Sequence, residues 1–189
     1  DEEIPQDVAE LAKFFGGPLG MFPNSVRTMA RRPEIAKALT LLNQAVMTCE
    51  HGVTPEFKRI IGYIASATAG CRYCQAHTAL GAKRFGASGE RLETMWNYAE
   101  SPHFTEAEKA ALDFTLAAST VPNSVTPQIE ENLHKHWSDG EIVEILGVIS
   151  LFGFLNRWND SMSSTLENGA IEVAGEHLEQ AGWEVGKHV

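Results

Sequence analysis

Four helix starts are written into this chain in the same short vocabulary: Thr54-Pro55, Thr105-Glu106-Ala107-Glu108, Thr126-Pro127 and Ser138-Asp139-Gly140-Glu141. A Thr or Ser hydroxyl at the N-cap accepts from an otherwise orphaned amide of the first turn. A proline just inside loses no hydrogen bond, and a glutamate at the third helical position bonds back to the cap. The segments that follow carry apolar residues at helical spacing, and none alternates as a half-buried strand would. The expected architecture is therefore all-α, a bundle of eight or nine helices with short connections.

The other elements follow from the same signals. Helical spacing runs from Pro5 to Phe15 (Val8, Leu11, Ala12) and stops at the glycine-rich loop 16–20. Asn24 is expected to cap a short helix to Arg31, and Pro33 to open a longer one to Met47. Thr54 should start a helix reaching about Ala69. Gly70 would break it, and a second helix carries Cys71 to Phe85. Ser88 is expected to cap a helix through Ala99, and the helix after Thr126 to end near Trp137. The helix after Ser138 should reach about Met162. A faint repeat at an offset of 51 residues relates 54–86 to 105–137, through Thr54/Thr105, Lys58/Lys109 and Ile61/Leu112.

Length and charge narrow the function. At 189 residues and 43% hydrophobic the chain can bury a core, and the length suits a single domain, 1–189, with its core at about 20–165. A net charge of −10 argues against nucleic acid and against anionic membrane surfaces as partners. No apolar run approaches the roughly 18 residues of a spanning helix. The first residues lack the features of a secretory signal, so the expected location is cytoplasmic. Three cysteines do not make a disulfide framework. Met95, Trp96, Phe152, Phe154 and Trp158 exceed what one small helical core needs and point to a homo-oligomer.

Chemistry concentrates in Gly70-Cys71-Arg72-Tyr73-Cys74-Gln75-Ala76-His77. At about 100° per residue, Cys71 and Cys74 lie roughly 60° apart and one turn from each other, close enough to exchange sulfur chemistry. They sit at a helix start, where the partial positive charge favours thiolate. His77 lies about 60° from Cys74 but 120° from Cys71, which assigns the imidazole to Cys74; Thr78 lies on the face of Cys71. The preceding helix is expected to keep Glu56, Arg59, Tyr63 and Ser66 on a polar side. Glu56 is a candidate carboxylate in the proton path, and Arg59 and Tyr63 are candidates for binding substrate or stabilising thiolate, as is Thr78. A lone CxxC could instead hold zinc, but a closed site needs four ligands, and Cys49, His51, His134 and His136 would have to complete it. Cys49 reads more simply as a small buried hydrophobe. No cofactor or resident metal is expected.

The segment 69–78 resembles the alkylhydroperoxidase/carboxymuconolactone decarboxylase family, specifically its longer peroxidase-related members. Phe22-Pro23-Asn24-Ser25, Arg32-Pro33-Glu34 and Leu151-Phe152-Gly153-Phe154-Leu155-Asn156-Arg157-Trp158-Asn159-Asp160 extend the likeness over about 15–165. The resemblance implies an all-helical, oligomeric protein of the AhpD-like type. It also implies reduction of hydroperoxides by the cysteine pair, recycled by a thiol reductant whose identity is unknown. The family's glutamate stands twelve residues before the first cysteine and its histidine four after the second; here those positions hold Arg59 and Thr78. His77 stands in for the histidine one residue early, and Glu56, one turn before Arg59, is the nearest carboxylate.

On this reading Cys74 attacks, because His77 is beside it, and Cys71 resolves the sulfenic acid. The helix dipole favours the reverse order, with Cys71 the more exposed thiol. Two other readings remain open: a general thiol–disulfide oxidoreductase, and a non-catalytic helical module with zinc on its CxxC.

Overall fold

The computed structural model describes residues 4–48 and 51–189. Ten α-helices follow in chain order: α1 Gln6–Ala12, α2 Asn24–Met29, α3 Pro33–Thr48, α4 Pro55–Thr68, α5 Arg72–Arg84, α6 Gly89–Glu93, α7 Glu106–Ser119, α8 Pro127–His134, α9 Asp139–Met162 and α10 Asn168–Leu178. No strand occurs among the described residues, and the fold is all-α as expected. No helix among them is long and apolar enough to cross a membrane. Cys49 lies outside the described residues.

The four expected starts form as the sequence dictates. The hydroxyls of Thr54, Thr126 and Ser138 accept from the third-position amides of α4, α8 and α9, and Thr105 does so for α7. In α7 and α9 the capping box is complete. Each such cap stabilises its helix by about 1 kcal/mol. Three expectations change. Asn24 is the first helical residue rather than the cap, a place taken by extended Pro23. The helix after Ser88 stops at Glu93, because Thr94 leaves helical geometry and its hydroxyl turns back onto the Glu90 carbonyl. And α10 was not anticipated, although Ala170, Val173, Ala174, His177 and Leu178 bury one face at helical spacing.

Helix α4 is the hub, packed against α3, α5, α7 and α9. That position overturns its expected polar side, because Lys58, Arg59, Tyr63 and Ser66 are all buried. A helix enclosed by four neighbours has no solvent face, so its polar groups must find partners inside. Lys58, with no exposure, meets Glu144 of α9 at 2.9 Å and donates to the Val46 carbonyl at 3.0 Å. Ser66 donates to the Gly62 carbonyl at 2.7 Å. Close approach of α4 to α9 depends on Gly62, where a Cβ would stand 2.6 Å from the Phe152 ring. Gly70, at φ +74°, turns the chain from α4 into α5 through a region that costs other residues strain.

Candidate functional site

Cys71 is the N-cap of α5 and Cys74 its third residue, both unbonded and both buried, at 0% and 2% exposure. Neither is the exposed thiol expected of Cys71, because the chain after α9 packs over this end of α5. Trp183 Nε1 donates to the Arg72 carbonyl at 3.1 Å, and Arg72 donates to the Gly182 carbonyl at 3.0 Å.

The two thiols sit in opposed environments. The Cys74 thiol and the amides of Cys74 and Tyr73 hold Cys71 below its ordinary range, against burial and the charge of Asp160. Burial pushes Cys74 well above its ordinary range, and Cys71 adds to that, while Asn159 works the other way. Asn159 Nδ2 donates to Cys74 Sγ at 3.5 Å, and its own oxygen is fixed by the Ser164 hydroxyl at 2.9 Å. The pair is thus polarised, Cys71 toward the thiolate and Cys74 toward the neutral thiol.

A cavity of about 80 Å³ opens beside Cys74. By the roughly 10–15 Å³ that one water needs on the same measure, it admits a small organic molecule. Its polar side is formed by Cys74, His77, Thr78, Arg59 and Asn159, its apolar side by side chains such as Phe15, Leu39, Met47 and Phe152. Cys71 does not line it.

Each sequence candidate now has a place. His77 donates from Nδ1 to the Tyr73 carbonyl at 3.0 Å, which fixes its ring, and Nε2 stands 2.8 Å from Glu167 Oε2. That approach is a close contact outside hydrogen-bond alignment, with both atoms fully buried. His77 thus reaches the cavity wall without either nitrogen bonding Cys74, contrary to the expectation that it acts directly on that thiol. Arg59 donates to the Pro55 carbonyl at 2.8 Å and lies over the Phe85 ring at 4.1 Å, its pKa pushed down to about 10 by burial. It remains a cation at neutral pH on the cavity wall. The Thr78 hydroxyl donates to the Cys74 carbonyl at 2.8 Å and so steadies the turn beneath the sulfur.

Glu56 and Tyr63 are not brought to this site. Glu56 is held by Arg91 Nε at 2.7 Å, in a network Arg91 shares with Glu108 at the start of α7. Tyr63 is buried, its hydroxyl pushed up to about 12 by desolvation, and it is not part of the cavity wall. The phenol present is Tyr73, stacked on His77 at 4.2 Å and donating to Glu167 Oε1 at 3.2 Å.

Glu167 is the carboxylate that sequence reasoning missed. Burial works to raise its pKa, but His77 and the Asn24 amide, which donates at 2.6 Å, hold it below the ordinary carboxylate range. It lies ninety residues beyond His77, so no local spacing signals it. Its one signature is its place just ahead of the apolar periodicity of α10.

On the far side of Cys71, Asp160 and His188 offer ligand atoms that, with Cys71 Sγ, all lie within 4.8 Å of one another. This cluster does not include His51, His134 or His136, the histidines considered as partners for zinc.

Residues 33–117 match the model of the carboxymuconolactone decarboxylase family. The fold and sequence are similar to the crystal structures of the debrominase Bmp8, at 30% identity and a TM-score of 0.85, covering 90% of this chain and 91% of that one. One of those structures is a C82A variant in complex with 2,3,4-tribromopyrrole. ATU0492 of Agrobacterium tumefaciens, a candidate antioxidant defence protein AhpD, is 28% identical over 74% of this chain and 95% of its own, at a TM-score of 0.69. YnjA of Escherichia coli (strain K12) is 26% identical over 92 residues, 49% of this chain, and the chain spans about half (50%) of that relative. The helical fold, the matched segment and these likenesses agree: the chain belongs to the AhpD-like carboxymuconolactone decarboxylase family of enzymes.

Proposed function

We propose that the protein is a thiol-dependent peroxidase in which Cys74 attacks a small hydroperoxide and Cys71 resolves it. The observation that carries this reading is that Cys74 lines the cavity while Cys71 stands behind it, outside the cavity wall. Cys71 takes the proton of Cys74 as that sulfur attacks the terminal peroxide oxygen. The O–O bond breaks, leaving a Cys74 sulfenic acid and an alkoxide. The Arg59 charge on the cavity wall favours the departing oxyanion, and His77, with Glu167 beside its Nε2, is placed to supply the proton that converts it to alcohol. The Cys71 thiol then attacks the sulfenic sulfur, the S–S bond forms, and water leaves. An external thiol reductant returns both cysteines by exchange.

The opposed thiol environments suit this division of labour. A thiolate with a buried neutral thiol beside it is a base next to its substrate proton, and attack by Cys74 moves charge toward Arg59.

The test is mass spectrometry after one equivalent of an organic hydroperoxide. Wild type is expected to lose two hydrogens with Cys71 linked to Cys74, and Cys71→Ser, which lacks the base, to trap a sulfenic acid on Cys74 more slowly. A sulfenic acid trapped on Cys71 in Cys74→Ser, with none on Cys74 in Cys71→Ser, overturns the assignment.

A second reading is favoured by the apolar half of the cavity and the likeness to the debrominase Bmp8. The same dithiol could reduce a small aryl halide, giving the arene, halide ion and the disulfide. Halide release from a brominated pyrrole, compared with hydroperoxide consumption by the same preparation, separates the two.

A further inference from the structure

We propose that Cys71 Sγ, Asp160 Oδ1 and His188 Nε2 form a binding site for a divalent cation of the zinc class. The geometry states the problem first. His188 is 1% exposed, and its Nδ1 donates to the Ser164 carbonyl at 2.9 Å, so a neutral ring presents the Nε2 lone pair. That Nε2 is fully buried with no hydrogen-bond partner. It faces Asp160 Oδ1 at 3.8 Å, and both converge on Cys71 Sγ within 4.8 Å. Three ligand atoms thus converge while the buried Nε2 lone pair stays unmatched, which is the conflict. A cation shared among them removes the conflict.

The donor set selects the ion. Thiolate, imidazole and a single carboxylate oxygen are zinc ligands, whereas calcium and magnesium take shells of oxygen. Around a tetrahedral zinc with bonds of about 2.0–2.3 Å, donors stand roughly 3.3–3.8 Å apart, so contraction by about 1 Å completes the set. The outer contacts are those of ligating residues. The second nitrogen of His188 is tied to a carbonyl, and the second oxygen of Asp160 is held by Lys187 at 2.9 Å. Asp160 is 42% exposed on its side chain, which gives the ion a way in. A bound ion would also take Cys71 out of disulfide formation, a consequence that rests on the peroxidase reading; the binding itself does not.

The experiment uses the reduced full chain and Zn²⁺ in competition with a chromophoric chelator. One equivalent is expected to bind, and His188→Gln and Asp160→Asn are each expected to weaken it by at least about tenfold, the low end for even an outer ligand. Asp160 is partly exposed, so its variant is the one expected to fold normally. Co²⁺ bound to wild type is expected to show a thiolate-to-cobalt charge-transfer band in the near ultraviolet. No uptake of Zn²⁺, no such band, or binding unchanged in Asp160→Asn overturns the proposal, the last by leaving the ion to the CxxC pair alone.

Discussion

Between Glu56 and Glu167 the difference is one of partner, not of residue type. Glu56 spends its charge on Arg91, while Glu167 meets His77, Tyr73 and the Asn24 amide. Glu167→Gln should therefore slow hydroperoxide-dependent disulfide formation, and Glu56→Gln should leave it near the wild-type rate. Stopped-flow traces of intrinsic fluorescence would compare them. Glu167 also predicts a pH dependence of stability. Its folded pKa lies below the ordinary value, so its stabilisation is present above the ordinary carboxylate range and is lost as pH falls through the lowered value. A buried carboxylate bonded by amide and hydroxyl donors is worth about 2 kcal/mol. Urea midpoints measured from neutral pH downward should fall less steeply for Glu167→Gln than for wild type. Arg59→Ala should slow oxidation too, and slow it for either leaving group, since it removes the cation from the cavity wall.

Helix by helix, packing at α4 and the segment after α9 decide what the site can be. Replacing Gly62 by Ala puts a methyl 2.6 Å from the Phe152 ring and must part α4 from α9. A loss of about 1–3 kcal/mol is expected from such overpacking, read as a lower urea midpoint at unchanged slope. Deleting residues 182–189 should uncover Cys71 and speed its alkylation by iodoacetamide, measured by peptide mapping, because Trp183 and Gly182 are bonded across the start of α5. These two elements also mark where the sequence was legible. The caps of α4, α7, α8 and α9, the break at Gly70 and the placing of Cys71 at a helix start were readable because each is set by residues within one turn. Burial of Arg59 and Tyr63 was not, because a helix enclosed on all sides shows the same local pattern as one with a wet edge. Glu167, Asn159 and His188 were not either, since only the tertiary return of the chain brings them to α5. A core drawn at 20–165 left two of those three outside it.

At the scale of the whole molecule, α9 carries apolar side chains on both of its faces. Ile145, Val148, Phe152 and Leu155 fill the core, whereas Val143, Leu146, Phe154 and Met162 are exposed. Of the large residues taken as signs of self-association, Met95 and Phe152 are core, and Trp96 and Phe154 remain at the surface at 44% and 43% exposure. Phe154, Leu146 and Met162 line a broad groove with the end of α7 and Val121, which is 83% exposed. Such an apolar surface, with Leu146, Phe154 and Met162 eight residues apart along α9, is the kind that a second copy of the chain covers. We therefore expect a homo-oligomer with α9 at its interface. Phe154→Asp places a charge in the centre of that surface and makes no contact with Cys71, Cys74 or the cavity beside them. Light scattering at micromolar concentration should give an oligomer for wild type and a smaller species for the variant, with the CxxC pair still oxidised by hydroperoxide in both. A wild type that scatters as a monomer would overturn this expectation for the α9 surface.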